Sequence, residues 1–248
     1  MNSRLAKQIF YGAGYLTVLF LFVFAVYLIW FKPAPTCFDA RKNQGETGVD
    51  CGGPCLPCEI KTLIPLEISW QKNLPADNQT IIAAEIKNPN LDWGADFFTY
   101  SINIYNNNGE LIKTVKRNSF IYAAEIKYLL EPLEISPKEI GRTEISFADF
   151  NWKSANEFKK PLIQTREIKN EETAISGYLT NNNAFKLSKI RVFGFLYNQY
   201  GIISAASKTE LENIDAFEEQ FFKINFPKNV SSLNIDFNKT KIYVEAIR

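Results

Sequence analysis

Four cysteines, Cys37, Cys51, Cys55 and Cys58, stand in one stretch of a 248-residue chain, spaced C-x(13)-C-x(3)-C-x(2)-C. Three chemistries are open to such a set. Four thiolates can hold zinc, but zinc sites usually pair two C-x(2-4)-C knuckles, and Cys37 stands apart. Cys55 and Cys58 have the spacing of thiol oxidoreductases, whose reactivity depends on a helix N-terminus within a thioredoxin-like α/β fold. The strand-rich sequence downstream offers no such fold. Two disulfides are the third chemistry: a segment this short cannot build a core from its own side chains, and covalent links are its means of order. We expect the disulfides, and spacing leaves all three pairings open. Asp39, Glu46 and Asp50 could supply oxygens to calcium or serve as turn formers. We expect turn formers, and assign no metal, cofactor or catalytic residue.

Elsewhere little points to catalysis. Histidine is absent, which removes the side chain that most often does acid–base work near neutral pH. No phosphate loop, nucleophile elbow or dinucleotide fingerprint occurs, and Gly12 and Gly14 sit inside an apolar run where they suit helix packing. Three of the 28 basic residues, Arg4, Lys7 and Lys32, lie in the first 32 positions, so the rest is slightly acidic against its 27 carboxylates. A nucleic-acid partner is therefore not expected, because phosphate binding needs a basic face.

The elements around the cysteines give them a place. Ile9 to Phe31 carries no charge, and at 1.5 Å per residue it spans roughly 34 Å, enough for a hydrocarbon core of about 30 Å. Tyr11, Tyr15, Tyr27 and Trp30 stand towards its ends, as interfacial aromatics do. The run is too long for a signal peptide and lacks a small-residue cleavage site. Residues 1–8 then form a cytoplasmic tail, 9–31 a single membrane span that contacts the bilayer, and 32–61 an extended Pro spacer with the cysteine segment. Basic residues before the span, and cysteines after it, orient the body away from the cytosol, at the cell membrane.

Beyond residue 61, short runs of Ile, Val, Phe, Tyr and Thr alternate with Asn, Gly and Pro. Tyr100, Ile102 and Ile104 share one face before the turn Asn106–Gly109, a hairpin signal. The phrase recurs about 92 residues on, where Leu196-Tyr197-Asn198-Gln199-Tyr200-Gly201 follows Ile104-Tyr105-Asn106-Asn107-Asn108-Gly109. Glu85–Asn88 aligns with Tyr178–Asn181, and Thr143–Phe147 with Phe222–Phe226, which places about 13 extra residues in the first copy around Ser119–Pro132. The expected fold is mainly β: two tandem immunoglobulin-like β-sandwiches, 62–151 and 152–248, after the helix and the cysteine segment. In the strand Lys189–Tyr197, Phe193 and Phe195 fall on the outer face of the second sandwich. They mark a candidate contact surface, or lie under a neighbouring domain or loop.

Ile175 to Pro227 resembles the FxLYD-type domain, an immunoglobulin-like sandwich of bacterial and archaeal envelope proteins, with Asn198 in place of the usual Asp; the first copy resembles it more loosely. The cysteine stretch resembles a motif of secreted and surface bacterial proteins, carried here by Cys37, Asp39, Asn43, Glu46, Gly48 and Asp50-Cys51-Gly52-Gly53 with Cys55 and Cys58. Ala40 stands where that motif more often has Gly. These resemblances imply no catalytic residue. They imply a prokaryotic, membrane-anchored envelope protein with an interaction or assembly role and an envelope protein as partner. The alternative is a thiol-redox accessory or another envelope enzyme, using Cys55 and Cys58 or carboxylates.

Overall fold

The computed structural model describes residues 3–30, 36–171, 173–228, 230 and 233–247. The first unit, Met1–Thr62, holds one long helix, α1 (Ser3–Trp30), and the cysteine segment. Its apolar side chains are exposed on every side, and the window Lys7–Leu28 has mean hydropathy 2.2. A helix that is apolar all round has no polar face to give to water. Its length and composition suffice to cross a bilayer. Phe31 and the spacer residues 32–35 lie outside the described residues.

Among its described residues, the second unit, Leu63–Arg248, holds twelve antiparallel strands. Six come first: β1 (Glu67–Ala76), β2 (Gln79–Lys87), β3 (Trp93–Tyr105), β4 (Leu111–Ile121), β5 (Ile126–Leu133) and β6 (Arg142–Ser154). They form two three-stranded sheets, β1-β2-β5 and β4-β3-β6. Period-two alternation turns Ile82, Ala84 and Ile86 of β2 and Phe98, Tyr100, Ile102 and Ile104 of β3 into one buried cluster, so the sheets close as a sandwich. Then follow β7 (Ile163–Glu171), β8 (Ala174–Asn181), β9 (Leu187–Tyr197), β10 (Ile203–Ile214), β11 (Glu219–Asn225) and β12 (Lys241–Ile247). The sheets β7-β8-β11 and β10-β9-β12 enclose a second core around Ile175, Leu179, Ile190, Val192 and Phe222. Strand β6 pairs with β3 as far as Ser154, three residues beyond Asn151, the point at which the sequence divides the body.

The two sandwiches repeat each other down to single hydrogen bonds. In the first, Asn106 Oδ1 accepts from the amides of Asn108 and Glu110, and Gly109 takes φ +82°. In the second, Asn198 Oδ1 accepts from Tyr200 and Ile202, and Gly201 takes φ +75°. Asn serves here as Asp would, since the turn needs only a side-chain oxygen acceptor. A second device recurs at a spacing of 93. Buried Asn88 donates to the Trp93 and Tyr122 carbonyls and accepts from Asn90, which clamps Ile64. Buried Asn181 donates to Phe185 and Asp215 and accepts from Asn183, which clamps Leu162.

This spacing corrects the expected insertion. The turn closed by Glu125 accepting from the Tyr122 amide, with Ala124 at φ +53°, matches the turn closed by Glu218 accepting from the Asp215 amide, with Phe217 at φ +59°. The spacing is 92 at the hairpin and 93 from Tyr122 to Glu125, which leaves no room for 13 extra residues between them, and β5 is the counterpart of β11. Thr143–Phe147 lies in β6, which pairs with β3 as β12 pairs with β9, so its alignment with Phe222–Phe226 was false. Any two half-buried strands share the same alternation, and a five-residue block cannot tell them apart.

Candidate functional site

Within the first unit, Cys37 bonds Cys55 and Cys51 bonds Cys58, with Cα–Cα distances of 5.6 and 4.9 Å. The two cysteines of Cys55-Leu56-Pro57-Cys58 are each held by another partner. The carboxylates between them serve the backbone. Asp50 accepts from the amides of Asp39 and Ala40 at 3.0 Å each. Asp39 accepts from the Arg41 amide at 3.0 Å and from Asn43 Nδ2 at 2.8 Å, and the Asn43 bond holds its carboxyl below the usual range. Buried Glu46 accepts from the amides of Asp50 and Asn43. Cys37, Glu46 and Cys55 lie close together, but sulfurs joined in a disulfide carry no thiolate for a metal. Backbone shape explains the Gly pair after Cys51. A Cβ on Gly52 would meet Thr47 Oγ1 at 1.9 Å and one on Gly53 the Gly45 oxygen at 2.4 Å, and both take positive φ. Ala40 adopts φ +57°, the region where Gly carries no steric cost.

In the second unit, Phe193 and Phe195 are covered by the first sandwich of the same chain. Phe195 is fully buried and meets Trp70 at 5.9 Å, Tyr128 at 4.9 Å and Tyr243 at 5.7 Å between ring centroids. Leu74, Ala83, Tyr128 and Leu130 from the β1-β2-β5 sheet pack with Phe193, Phe195, Ile203 and Ala206 from the β10-β9-β12 sheet. The pair is therefore not presented to solvent. One sequence signal marks it: the positions 92 residues earlier, Ser101 and Asn103, are polar. The first sandwich thus lacks the aromatic pair that the second uses to dock.

Beside this apolar patch lies an ion network that sequence reasoning missed. Lys127 of β5 and Glu245 of β12, with side chains 2% and 6% exposed, form a buried ion pair between the sandwiches. Arg191 reaches Glu245 at 3.1 Å and Glu210 at 2.8 Å. Lys160 reaches Glu125 at 2.7 Å. The Lys127 ammonium also sits 4.0 Å above the Phe120 ring. Burial pulls the Lys127 pKa below its usual value, opposed in part by Glu245. For Arg191, burial also disfavours the charge, but Glu245 and Glu210 outweigh it and the pKa rises. Tyr122 donates to the Ala246 carbonyl at 2.9 Å, and burial raises its phenol pKa. Lys127 is a charged residue beside the exposed Ile126 and opens a run of four buried residues, Lys127 to Leu130, that breaks strand alternation, so no local signal reveals its role. These contacts hold the sandwiches as one body; beside them a cleft of about 340 Å³ remains.

No family model matches the chain, and no curated protein matches it. Among solved structures, red sea bream transglutaminase aligns at 10% identity over 75% of this chain and 32% of its own, with a TM-score of 0.26. Bacteroides uniformis beta-glucuronidase 2, in a covalent complex with cyclophellitol-6-carboxylate aziridine, aligns at 14% identity over 69% of this chain and 26% of its own, with a TM-score of 0.19. The chain spans about a third of the one and a quarter of the other, and neither likeness bears on fold or function.

Proposed function

We propose that the chain is a single-pass protein of a prokaryotic cell membrane. Its N-terminus is cytoplasmic, and its disulfide-linked segment and paired sandwiches act outside the cytosol without catalysis, in interaction with or assembly of another envelope protein. The observation that carries this reading is the order of parts: an apolar helix long enough to span is followed at once by four cysteines, all in disulfides. Disulfides persist outside the cytosol, and Arg4 and Lys7 precede the helix, as positive charges on the inner side do. A redox role for Cys55 and Cys58 would need those sulfurs to pair with each other, and each is joined elsewhere. Anchoring keeps the body near the bilayer at high local concentration, which favours assembly. Protease added to intact cells should remove the body and leave an N-terminal epitope protected. A body that survives until the cells are opened would overturn the topology.

A further inference from the structure

The cleft between the sandwiches carries an unbalanced charge. Four basic side chains line it, Arg117, Lys127, Arg191 and Lys208, against two carboxylates, Glu131 and Glu245. In the buried part, Lys127 and Arg191 share Glu245, and Glu210 is divided between Arg191 and Lys189. Glu131 accepts a hydrogen bond from Tyr100 and stands 3.9 Å from Arg117 Nε, beyond hydrogen-bonding reach. Lys208 donates to the Leu130 carbonyl at 3.2 Å and among the described residues meets no carboxylate within ion-pair distance. Arg117 and Lys208 are exposed, so they stand at the rim while Lys127 forms part of the floor. A concave wall of low polarisability focuses the field of such a surplus and concentrates anions in it.

We infer that this cleft binds a small organic anion, bearing a carboxylate or a phosphate and about the size of a monosaccharide, with Arg117 and Lys208 contacting the anionic group. A guanidinium offers a planar fork and an ammonium a point charge, the two usual means of holding either anion. The volume of about 340 Å³ lies at the small end of ligand sites, and two-domain junctions are a common place for them. The cleft site does not depend on the topology or the assembly role proposed above.

The test is calorimetric titration of the full chain in detergent, at fixed ionic strength, with inorganic phosphate and with galacturonate as separate probes. Binding of either supports the site, and the probe that binds identifies the anion class. Lys208→Met and Arg117→Gln should each weaken it about 10-fold or more, the typical loss of one charged hydrogen bond. Lys241→Met, beside Tyr197 and outside the cleft lining, should bind as wild type. Both cleft variants alter exposed positions, and an unchanged thermal midpoint shows that they fold. No binding of either probe up to about 10 mM, or equal affinity in the two cleft variants, overturns the proposal.

Discussion

The Lys127–Glu245 pair is the most exacting point in the body, because both charges are removed from water between two sandwiches. Taking one partner away strands the other, and a stranded buried charge costs about 3–5 kcal/mol, whereas replacing both by apolar groups of similar size is near neutral. Lys127→Met leaves Glu245 with Arg191 at 3.1 Å, which places its cost at the low end, about 3 kcal/mol. Glu245→Met leaves an ammonium that keeps the Phe120 ring and the attraction of the Glu125 carboxylate, and should cost about 4 kcal/mol. The double variant should lie within about 2 kcal/mol of wild type, a coupling of about 5 kcal/mol. Equilibrium urea unfolding of the full chain, followed by tryptophan fluorescence with Trp70 at the interface as reporter, reads all three. Single losses below about 1 kcal/mol, or a double variant equal to the two single losses combined, would show that the pair is not buried and the sandwiches are not docked as described.

Further expectations concern each part in turn. Asn88→Ala removes a side chain with four hydrogen bonds and leaves buried carbonyls unpaired, so it should destabilise the body by about 3 kcal/mol in the same assay; Asn181→Ala should match it, and a loss under about 1 kcal/mol in both would refute the clamp. In the cysteine segment, Ala40→Gly should stabilise by about 0.5–1 kcal/mol, read as slower amide exchange, while Gly53→Ala should reduce the yield of correctly paired disulfides. Burial raises the phenol pKa of Tyr100, Tyr122 and Tyr128 far above the ordinary value near 10. Above that pH the unfolded chain releases protons that the folded chain keeps. Stability should therefore be intact below about pH 10 and fall above it, by up to about 1.4 kcal/mol per pH unit for each tyrosine. Phenolate absorbance from these residues should appear only with unfolding, and its appearance in the folded protein would contradict their burial.

What the sequence revealed depended on how local the determinant was. The charge-free run from Ile9 to Trp30 dictates a helix by composition, and Asn106 and Asn198 dictate their turns through bonds made two and four residues on. Strand alternation assigned Ile190, Val192 and Leu196 to a core and left Phe193 and Phe195 outside it, where the first sandwich covers them. Alternation failed where it had to rank strands, because β6 and β11 look alike to it. The disulfide pairing was closed to spacing, since it depends on how Asp50 and Glu46 fold the loop. Lys127 was invisible for another reason: its partner Glu245 lies 118 residues away, and only docking of the second sandwich buries it.

The central claim is a disulfide-held segment and a paired body on the non-cytosolic side of a membrane. Native membranes should be alkylated before any reductant is added, digested, and mapped for linked peptides. The account predicts no alkylated cysteine and two crosslinks, Cys37 to Cys55 and Cys51 to Cys58. Free, alkylated thiols, or a Cys55–Cys58 link, would contradict it.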